Sequence, residues 1–138
     1  MKPISLIILL TSILVSCHNG TDKNESSFDP DADYVQIVLF HQAQRCESCN
    51  AVERVTEQLL EEEYWDAFAT GKVRYIPLNY QSENGKKASI LLKASGQTLY
   101  VVKGDSIANL TSPAFMYAST HPDYYREALR KELDQYLK

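Results

Sequence analysis

The chain has 138 residues, of which 44% are hydrophobic, and its 14 Lys and Arg residues against 18 Asp and Glu residues give a net charge of −4. This length suits one domain with its own core, and the apolar fraction is normal for a globular protein. The sequence has no basic patch with interleaved aromatic side chains. Composition therefore argues against a nucleic-acid partner and gives no reason to expect tight binding to anionic lipid.

Residues 1–16 are predicted to be a signal peptide. Lys2 supplies a positive charge, and residues 4–15 form an apolar stretch that is shorter than the about 20 residues of a membrane span. The stretch ends Leu14-Val15-Ser16-Cys17, which resembles the bacterial lipobox. The resemblance implies that Cys17 is diacylated, so that the protein is held on the inner or outer membrane facing the periplasm. An ordinary signal peptide with a coincidental cysteine, or an uncleaved anchor, is the alternative.

Residues 17–33 are predicted to be a flexible tether, and residues 34–138 the folded domain. The tether is polar, contains Gly20 and Pro30 and has no apolar period. If Cys17 is lipidated, the domain holds one pair of cysteines, Cys46 and Cys49. Outside the cytoplasm such a pair can exist as a disulfide.

The first half of the domain is predicted to contain a strand, a helix and a second strand. Residues 34–40 form a nearly continuous apolar run, which suits a strand buried on both faces. A helix is expected from about Cys46 into residues 61–63, because apolar residues recur on one face. The end of this helix and the turn after it are expected around residues 65–71. The strand that follows, Val73–Asn79, contains Pro77, which favours an edge position or the end of the strand.

The second half is predicted to contain a helix, a hairpin and a final helix. The helix at residues 83–94 is expected to turn Ala88, Leu91 and Leu92 inward. The hairpin joins Thr98–Lys103 to residues 106–110 through the turn Gly104-Asp105. Residues 111–121 are expected to be irregular, and the last helix starts near Pro122, with Tyr125, Leu129, Leu133 and Leu137 at a four-residue step.

The predicted order is β-α-β-α-β-β-α. The two βαβ crossovers predict parallel strands in a central mixed sheet with helices on both faces, and the last hairpin predicts an antiparallel edge. This α/β arrangement is the minimal thioredoxin-like fold.

The motif Cys46-Glu47-Ser48-Cys49 lies between the first strand and the first helix. A strand–CxxC–helix order is typical of dithiol redox chemistry, since the helix N-terminus stabilises a thiolate. Cys46 is expected to be exposed, to have the lower pKa and to attack first, and Cys49 to resolve the mixed disulfide. No cofactor is expected other than the reversible Cys46–Cys49 disulfide, and no resident metal is assigned.

Three neighbours are predicted to modulate the thiolate. The charge of Glu47 disfavours the thiolate, whereas Arg45 and His41 favour it. The sign of their combined effect on the pKa of Cys46 therefore stays open. An alternative function is binding of a thiophilic metal ion or arsenite by the two thiolates with His41. An inert disulfide is the other alternative, but a CxxC ring encloses only a tiny loop and gives little stabilisation.

The region from Cys46 to the end of the chain resembles the thioredoxin superfamily. Residues 95–99, Ser-Gly-Gln-Thr-Leu, match the loop that ends in cis-Pro-Thr in thioredoxins. The resemblance implies that Gly96, Gln97 and Thr98 face the substrate and that the partner is a protein thiol or disulfide. Gln97 stands where thioredoxins have proline. Phe40 stands where they bury an Asp that accepts the proton of the deeper thiol, and Glu-Ser replaces Gly-Pro between the cysteines.

The sequence is most similar to a lipoprotein family described as a nitrophenyl compound nitroreductase subunit, the ArsF family. The resemblance implies a context of arsenic resistance, with the dithiol supplying electrons to a partner. A nitroreductase that binds its own flavin is not expected, because the chain is small and has no Gly-rich phosphate motif. An accessory subunit with a vestigial CxxC motif is a further alternative. The matching segments are Phe40-His41, Arg45-Cys46, Cys49, Ala51-Val52-Glu53, Ser95-Gly96-Gln97-Thr98-Leu99, Val102-Lys103-Gly104-Asp105 and Asn109-Leu110-Thr111.

Overall fold

The computed structural model describes residues 27–138. The predicted signal peptide, Cys17 and the first part of the tether lie outside these residues. Within the described range, no helix has both the length and the apolar character needed to cross a membrane. The elements in chain order are β1 (Val35–His41), α1 (Glu47–Glu63), α2 (Trp65–Ala69), β2 (Val73–Asn79), α3 (Glu83–Leu92), β3 (Thr98–Lys103), β4 (Ser106–Asn109), α4 (Thr111–Tyr117) and α5 (Pro122–Tyr136).

The four strands form one mixed sheet in the order β2-β1-β3-β4. β1 is parallel to β2 and antiparallel to β3, and β3 and β4 form the antiparallel hairpin at the other edge. The predicted mixed sheet, its terminal hairpin and the edge position of the strand with Pro77 are confirmed.

The expectation that both crossovers join parallel strands is wrong for the second one. α3 delivers the chain to the end of the sheet at which β2 ends, and not to the end at which β2 starts. β3 begins instead beside the end of β1, where Thr98 pairs with Phe40. This reversal brings the loop before β3 next to the start of α1.

One face of the sheet packs against α1, α4 and α5. Tyr125 of α5 is completely buried there, and its hydroxyl lies 2.6 Å from Thr56 Oγ1 of α1. Of the residues at the four-residue step, Tyr125, Leu129 and Leu133 are buried, and Leu137, which follows the end of α5, is only partly buried. α4 and α5 thus hold α1, and with it the CxxC motif, in position on the sheet.

The opposite face is covered by α3, which buries Ala88 and Leu92. The expectation for Leu91 is wrong, because 57% of this residue is exposed. Gly85 lies at the first turn of α3 against the end of β2, where a Cβ would collide with the backbone of Asn79 and Tyr80. The glycine that weakens this helix by propensity thus allows it to approach the sheet. Helices on both faces of the sheet are confirmed.

Two short helices were not predicted as separate elements. α2 follows α1 after Tyr64, and Trp65 at its start is 65% exposed. α4 occupies part of the segment expected to be irregular, so that expectation is wrong. Ala114 of α4 is completely buried in the same cluster as Leu110, one turn earlier. Burial of these two residues accounts for a helix that has no strong sequence signal.

The last residues of the predicted tether contact the domain. The backbone N–H of Asp29 donates to Gln36 Oε1 at 2.9 Å, and Gln36 Nε2 donates to the carbonyl of Asp29 at 2.6 Å. Ala32 is buried, and Phe28 packs against the cluster on the α3 face. Residues 28–33 are therefore part of the packed structure.

Candidate dithiol site

Both cysteines of the CxxC motif lie at the N-terminus of α1. Cys46 is the N-cap residue, with extended backbone angles (φ −90°, ψ 168°), and Cys49 lies in the first turn. Their sulfur atoms are 3.5 Å apart. Because a disulfide needs about 2.05 Å between sulfurs, the described state is the dithiol. A small side-chain movement would bring the two sulfurs into bonding distance.

The environment of Cys46 favours a thiolate. The side chain is exposed. The pKa of the Cys46 thiol is lowered first by the backbone N–H of Cys49, then by the Cys49 side chain and, more weakly, by Gln97 and the N–H of Ser48. The Cys46 side chain makes no capping hydrogen bond to the first N–H groups of α1. The N–H groups therefore act by proximity and orientation, as a helix N-terminus does towards any anion.

The environment of Cys49 has the opposite effect. The residue is completely buried. Burial, followed by the hydrogen bond and negative charge of Cys46, raises the pKa of the Cys49 thiol to about 11. The structure therefore separates the two thiols into an exposed one with a lowered pKa and a buried one with a raised pKa.

The loop before β3 lies against the Cys46 sulfur. Gln97 Nε2 is 3.7 Å from Cys46 Sγ, across 51 positions of sequence. Gly96 has a φ of +85°, which glycine adopts readily, and it turns the chain into Gln97. Thr98 is buried, and its Oγ1 atom has no hydrogen-bond partner within residues 27–138. Gln97 is thus in direct contact with the site, and Gly96 and Thr98 flank it.

Arg45 and Glu53 form an ion pair between the loop and α1. Arg45 still lowers the pKa of Cys49 slightly, as the last of several causes. Glu47 is exposed in the first turn of α1. Arg45 and Glu53 therefore lie outside the motif and Glu47 within it, and the charge of Arg45 is paired with a carboxylate that the sequence does not mark as part of the site.

His41 lies at the end of β1 and is half-buried. Burial is the main cause that lowers the pKa of His41, which favours the neutral imidazole over the positive charge expected there from the sequence. Its Nδ1–H donates to the carbonyl of Gln42 at 2.7 Å. Nowhere in residues 27–138 do three or more His, Cys, Asp or Glu side chains form a group that could hold a metal ion. His41 is thus not placed as a third ligand beside the cysteines.

No carboxylate of β1 lies beneath Cys49. Leu39 faces the α1 side of the sheet, and Phe40 faces the other side, where it packs edge-on against Tyr100 with ring centroids 6.3 Å apart. The polar group that sequence reasoning missed is Tyr75 of β2. It packs on the α1 side, and its hydroxyl is buried without a hydrogen-bond partner in the described chain. Burial raises the pKa of Tyr75, with Cys49 among the smaller causes.

The arrangement can donate two electrons. An exposed sulfur that is readily ionised can attack a disulfide, and a second sulfur 3.5 Å away can displace the product. These are the two requirements of a reversible dithiol–disulfide couple.

Three solved structures are similar to this chain. Thioredoxin f2 of Chlamydomonas reinhardtii is 18% identical, with 57% of this chain and 67% of that chain covered and a TM-score of 0.42. A chloroplastic thioredoxin z is 22% identical, with 56% and 64% covered and a TM-score of 0.39. A malarial protein is 16% identical, with 55% and 78% covered and a TM-score of 0.40.

The chain thus spans less than two thirds of the thioredoxin z that it matches. No protein-family model matches the sequence, and no curated protein matches it. The similarity to the ArsF family is not confirmed by these comparisons. With its mixed four-stranded sheet, helices on both faces and a CxxC motif at the start of α1, the chain has a minimal thioredoxin-like fold.

Proposed function

We propose that this protein is a thiol–disulfide exchange protein that acts through Cys46 and Cys49. The observation that carries the proposal is the contrast between two sulfurs 3.5 Å apart. Cys46 is exposed with a lowered pKa, and Cys49 is buried with a pKa raised to about 11. An inert structural pair would not need this asymmetry.

In the first step, the Cys46 thiolate attacks one sulfur of a partner disulfide. A new disulfide forms between Cys46 and the partner, and the partner's second sulfur leaves as a thiolate that takes a proton from solvent. In the second step, Cys49 loses its proton, its thiolate attacks the Cys46 sulfur, and the partner's first sulfur leaves as a thiolate that takes up a proton. Two electrons pass from the pair to the partner, which leaves as a dithiol while Cys46 and Cys49 become a disulfide.

Formation of the mixed disulfide also prepares Cys49 for the second step. Two of the causes that raise the pKa of Cys49 come from the thiolate of Cys46, namely its hydrogen bond and its negative charge. Both disappear when Cys46 is bonded to the partner, so the pKa of Cys49 falls and only burial still opposes ionisation. The order of attack thus follows from the electrostatics of the pair.

The test is trapping of the mixed disulfide. A Cys49→Ser variant should accumulate covalent adducts through Cys46 when it is incubated with a peptide disulfide, whereas Cys46→Ser and the double variant should not. If Cys49→Ser forms no adduct but weakens binding of arsenite or Cu(I), the pair is a thiophilic binding site and the exchange proposal is wrong.

We also propose that a lipid on Cys17 holds the domain at a membrane surface facing the periplasm. The support is the sequence ending Leu-Val-Ser-Cys after a short apolar stretch. The domain would then exchange electrons with a membrane-bound or periplasmic partner, as the resemblance to the ArsF family implies. A Cys17→Ser variant should lose labelling by a fatty-acid analogue and leave the membrane fraction. Retention of both properties would contradict the anchor.

A further inference from the structure

One contact at the site comes from outside α1. Gln97 lies in the loop before β3, and its Nε2 atom is 3.7 Å from Cys46 Sγ. The residue is half-buried. Its neighbours fix the backbone on both sides, since Gly96 turns the chain at a φ of +85° and Thr98 is held in register with Phe40 of β1. The amide therefore approaches the sulfur from a position set by the sheet.

We propose that the side-chain amide of Gln97 is a positioning group that holds the reduced Cys46 sulfur as a thiolate. This inference rests on the proposed exchange function and adds the residue that regulates its nucleophile. A thiolate accepts hydrogen bonds, so it selects the N–H₂ end of the amide rather than the carbonyl end. Hydrogen bonds to an ionised acceptor are about twice as strong as those between neutral groups.

The contact favours one redox state over the other. The Cys46 sulfur carries negative charge only in the dithiol state and is neutral in the Cys46–Cys49 disulfide. The amide therefore stabilises the reduced pair more than the oxidised pair, which makes the pair a stronger oxidant. A residue without a donor at position 97 should make Cys46 less ionised and the pair more reducing.

The test compares the full reduced protein with two variants and a control. Gln97→Met keeps the length of the side chain and removes the donor, and Gln97→Glu replaces the donor with a negative charge. Gln135→Glu makes the same charge change on an exposed residue of α5, away from the site. The readout is the pH profile of Cys46 alkylation by iodoacetamide, which needs no partner protein.

We expect Gln97→Met to raise the midpoint of the profile by about half a pH unit, which is a roughly threefold change in the thiolate equilibrium. At a pH above both midpoints, the same threefold change lowers the reduction potential by about 15 mV. Gln97→Glu should move the midpoint further in the same direction, and Gln135→Glu should leave it unchanged.

Profiles of both Gln97 variants that overlay the wild-type profile would overturn the inference. The result is separable from that of the trapping experiment. A shifted alkylation profile without any mixed disulfide would retain the role of Gln97 and reject exchange. Trapping with unshifted profiles would retain exchange and reject the role of Gln97.

Discussion

Cys46 and Cys49 have sulfur atoms 3.5 Å apart, yet one residue is exposed and the other has no accessible surface. The difference arises from one helical turn. The N-cap position leaves the first sulfur outside, beside unpaired N–H groups, and the third residue after it lies on the buried side of α1. Two chemically identical groups thereby acquire opposite preferences for the thiolate.

The first prediction concerns the order of alkylation. In the reduced protein, Cys46 should react with iodoacetamide at a pH below the ordinary range for a thiol, because its pKa is lowered. Cys49, with its pKa raised to about 11, should stay unmodified at neutral pH. Peptide mapping by mass spectrometry over a pH series gives both profiles. Modification of Cys49 before Cys46 would contradict the assignment of nucleophile and resolving residue.

The second prediction concerns Gly85. Helix propensity alone favours Gly85→Ala by up to about 1 kcal/mol. The added Cβ would collide with the backbone of Asn79 and Tyr80, so we expect the free energy of unfolding to fall by about 1–3 kcal/mol. Urea unfolding measures it. The control Lys86→Ala, at the exposed neighbouring position, should stay within about 0.5 kcal/mol of the wild type. If Gly85→Ala stabilises the protein, the close approach of α3 to the end of β2 is refuted.

The third prediction concerns an ion-pair cluster that joins α1 to α5. The carboxylate of Glu63 accepts from Arg130 Nε and Nη2 at 2.7 and 2.8 Å and from Arg126 Nη2 at 3.0 Å. These bonds, that of Arg130 first, lower the pKa of Glu63 to about 2. Because the side chain is 34% exposed, we expect Glu63→Gln to cost only about 1 kcal/mol at neutral pH.

The sign of the pH dependence follows from the lowered pKa. The stabilisation by Glu63 is complete above the ordinary glutamate pKa of about 4.3. It is lost as the pH falls towards about 2. Unfolding curves of the wild type and Glu63→Gln should therefore converge between these values. Glu61→Gln, two residues earlier in α1 and outside the cluster, is the matched control, and a gap that persists at pH 2 would contradict the ionic origin.

The fourth prediction compares two tyrosines whose hydroxyls are buried. The hydroxyl of Tyr75 has no hydrogen-bond partner in the described chain, and burial of such a group costs about 1–3 kcal/mol. Tyr75→Phe should therefore leave the free energy of unfolding unchanged or raise it. The hydroxyl of Tyr125 bonds to Thr56 at 2.6 Å, so Tyr125→Phe should lower stability by about 1 kcal/mol. If Tyr75→Phe lowers the free energy of unfolding by a similar amount, the prediction is wrong and a water molecule bonds to the Tyr75 hydroxyl in the wild type.

Local patterns in the sequence predicted the elements that carry the motif. The apolar run of β1 and the helical period of α1 place Cys46 and Cys49 at a strand-to-helix junction, and the structure has that junction. The exposure of one cysteine and the burial of the other follow from the same helical geometry. These features depend on residues that are close together in the chain, so periodicity and spacing report them.

Features that depend on distant residues were not predictable in the same way. The direction of β3 depends on the end of the sheet to which α3 delivers the chain. The resemblance to thioredoxins implied that Gln97 faces the substrate, but only the fold shows its contact with Cys46, 51 positions away. In the sequence, Tyr75 is an ordinary aromatic residue of a strand. Only the fold shows that it packs on the α1 side of the sheet. α4 forms because Ala114 is buried, which propensity does not report.

The most direct test of the exchange function is titration of the Cys46–Cys49 pair in redox buffers of defined potential, with the disulfide fraction read by mass spectrometry. The two sulfurs, 3.5 Å apart, should convert fully and reversibly, with a midpoint between about −120 and −270 mV, the range of thioredoxin-like oxidants and reductants. Cys46→Ser should show no conversion. A pair that forms no disulfide at any potential would contradict the account and leave thiophilic ion binding as the function of the two thiols.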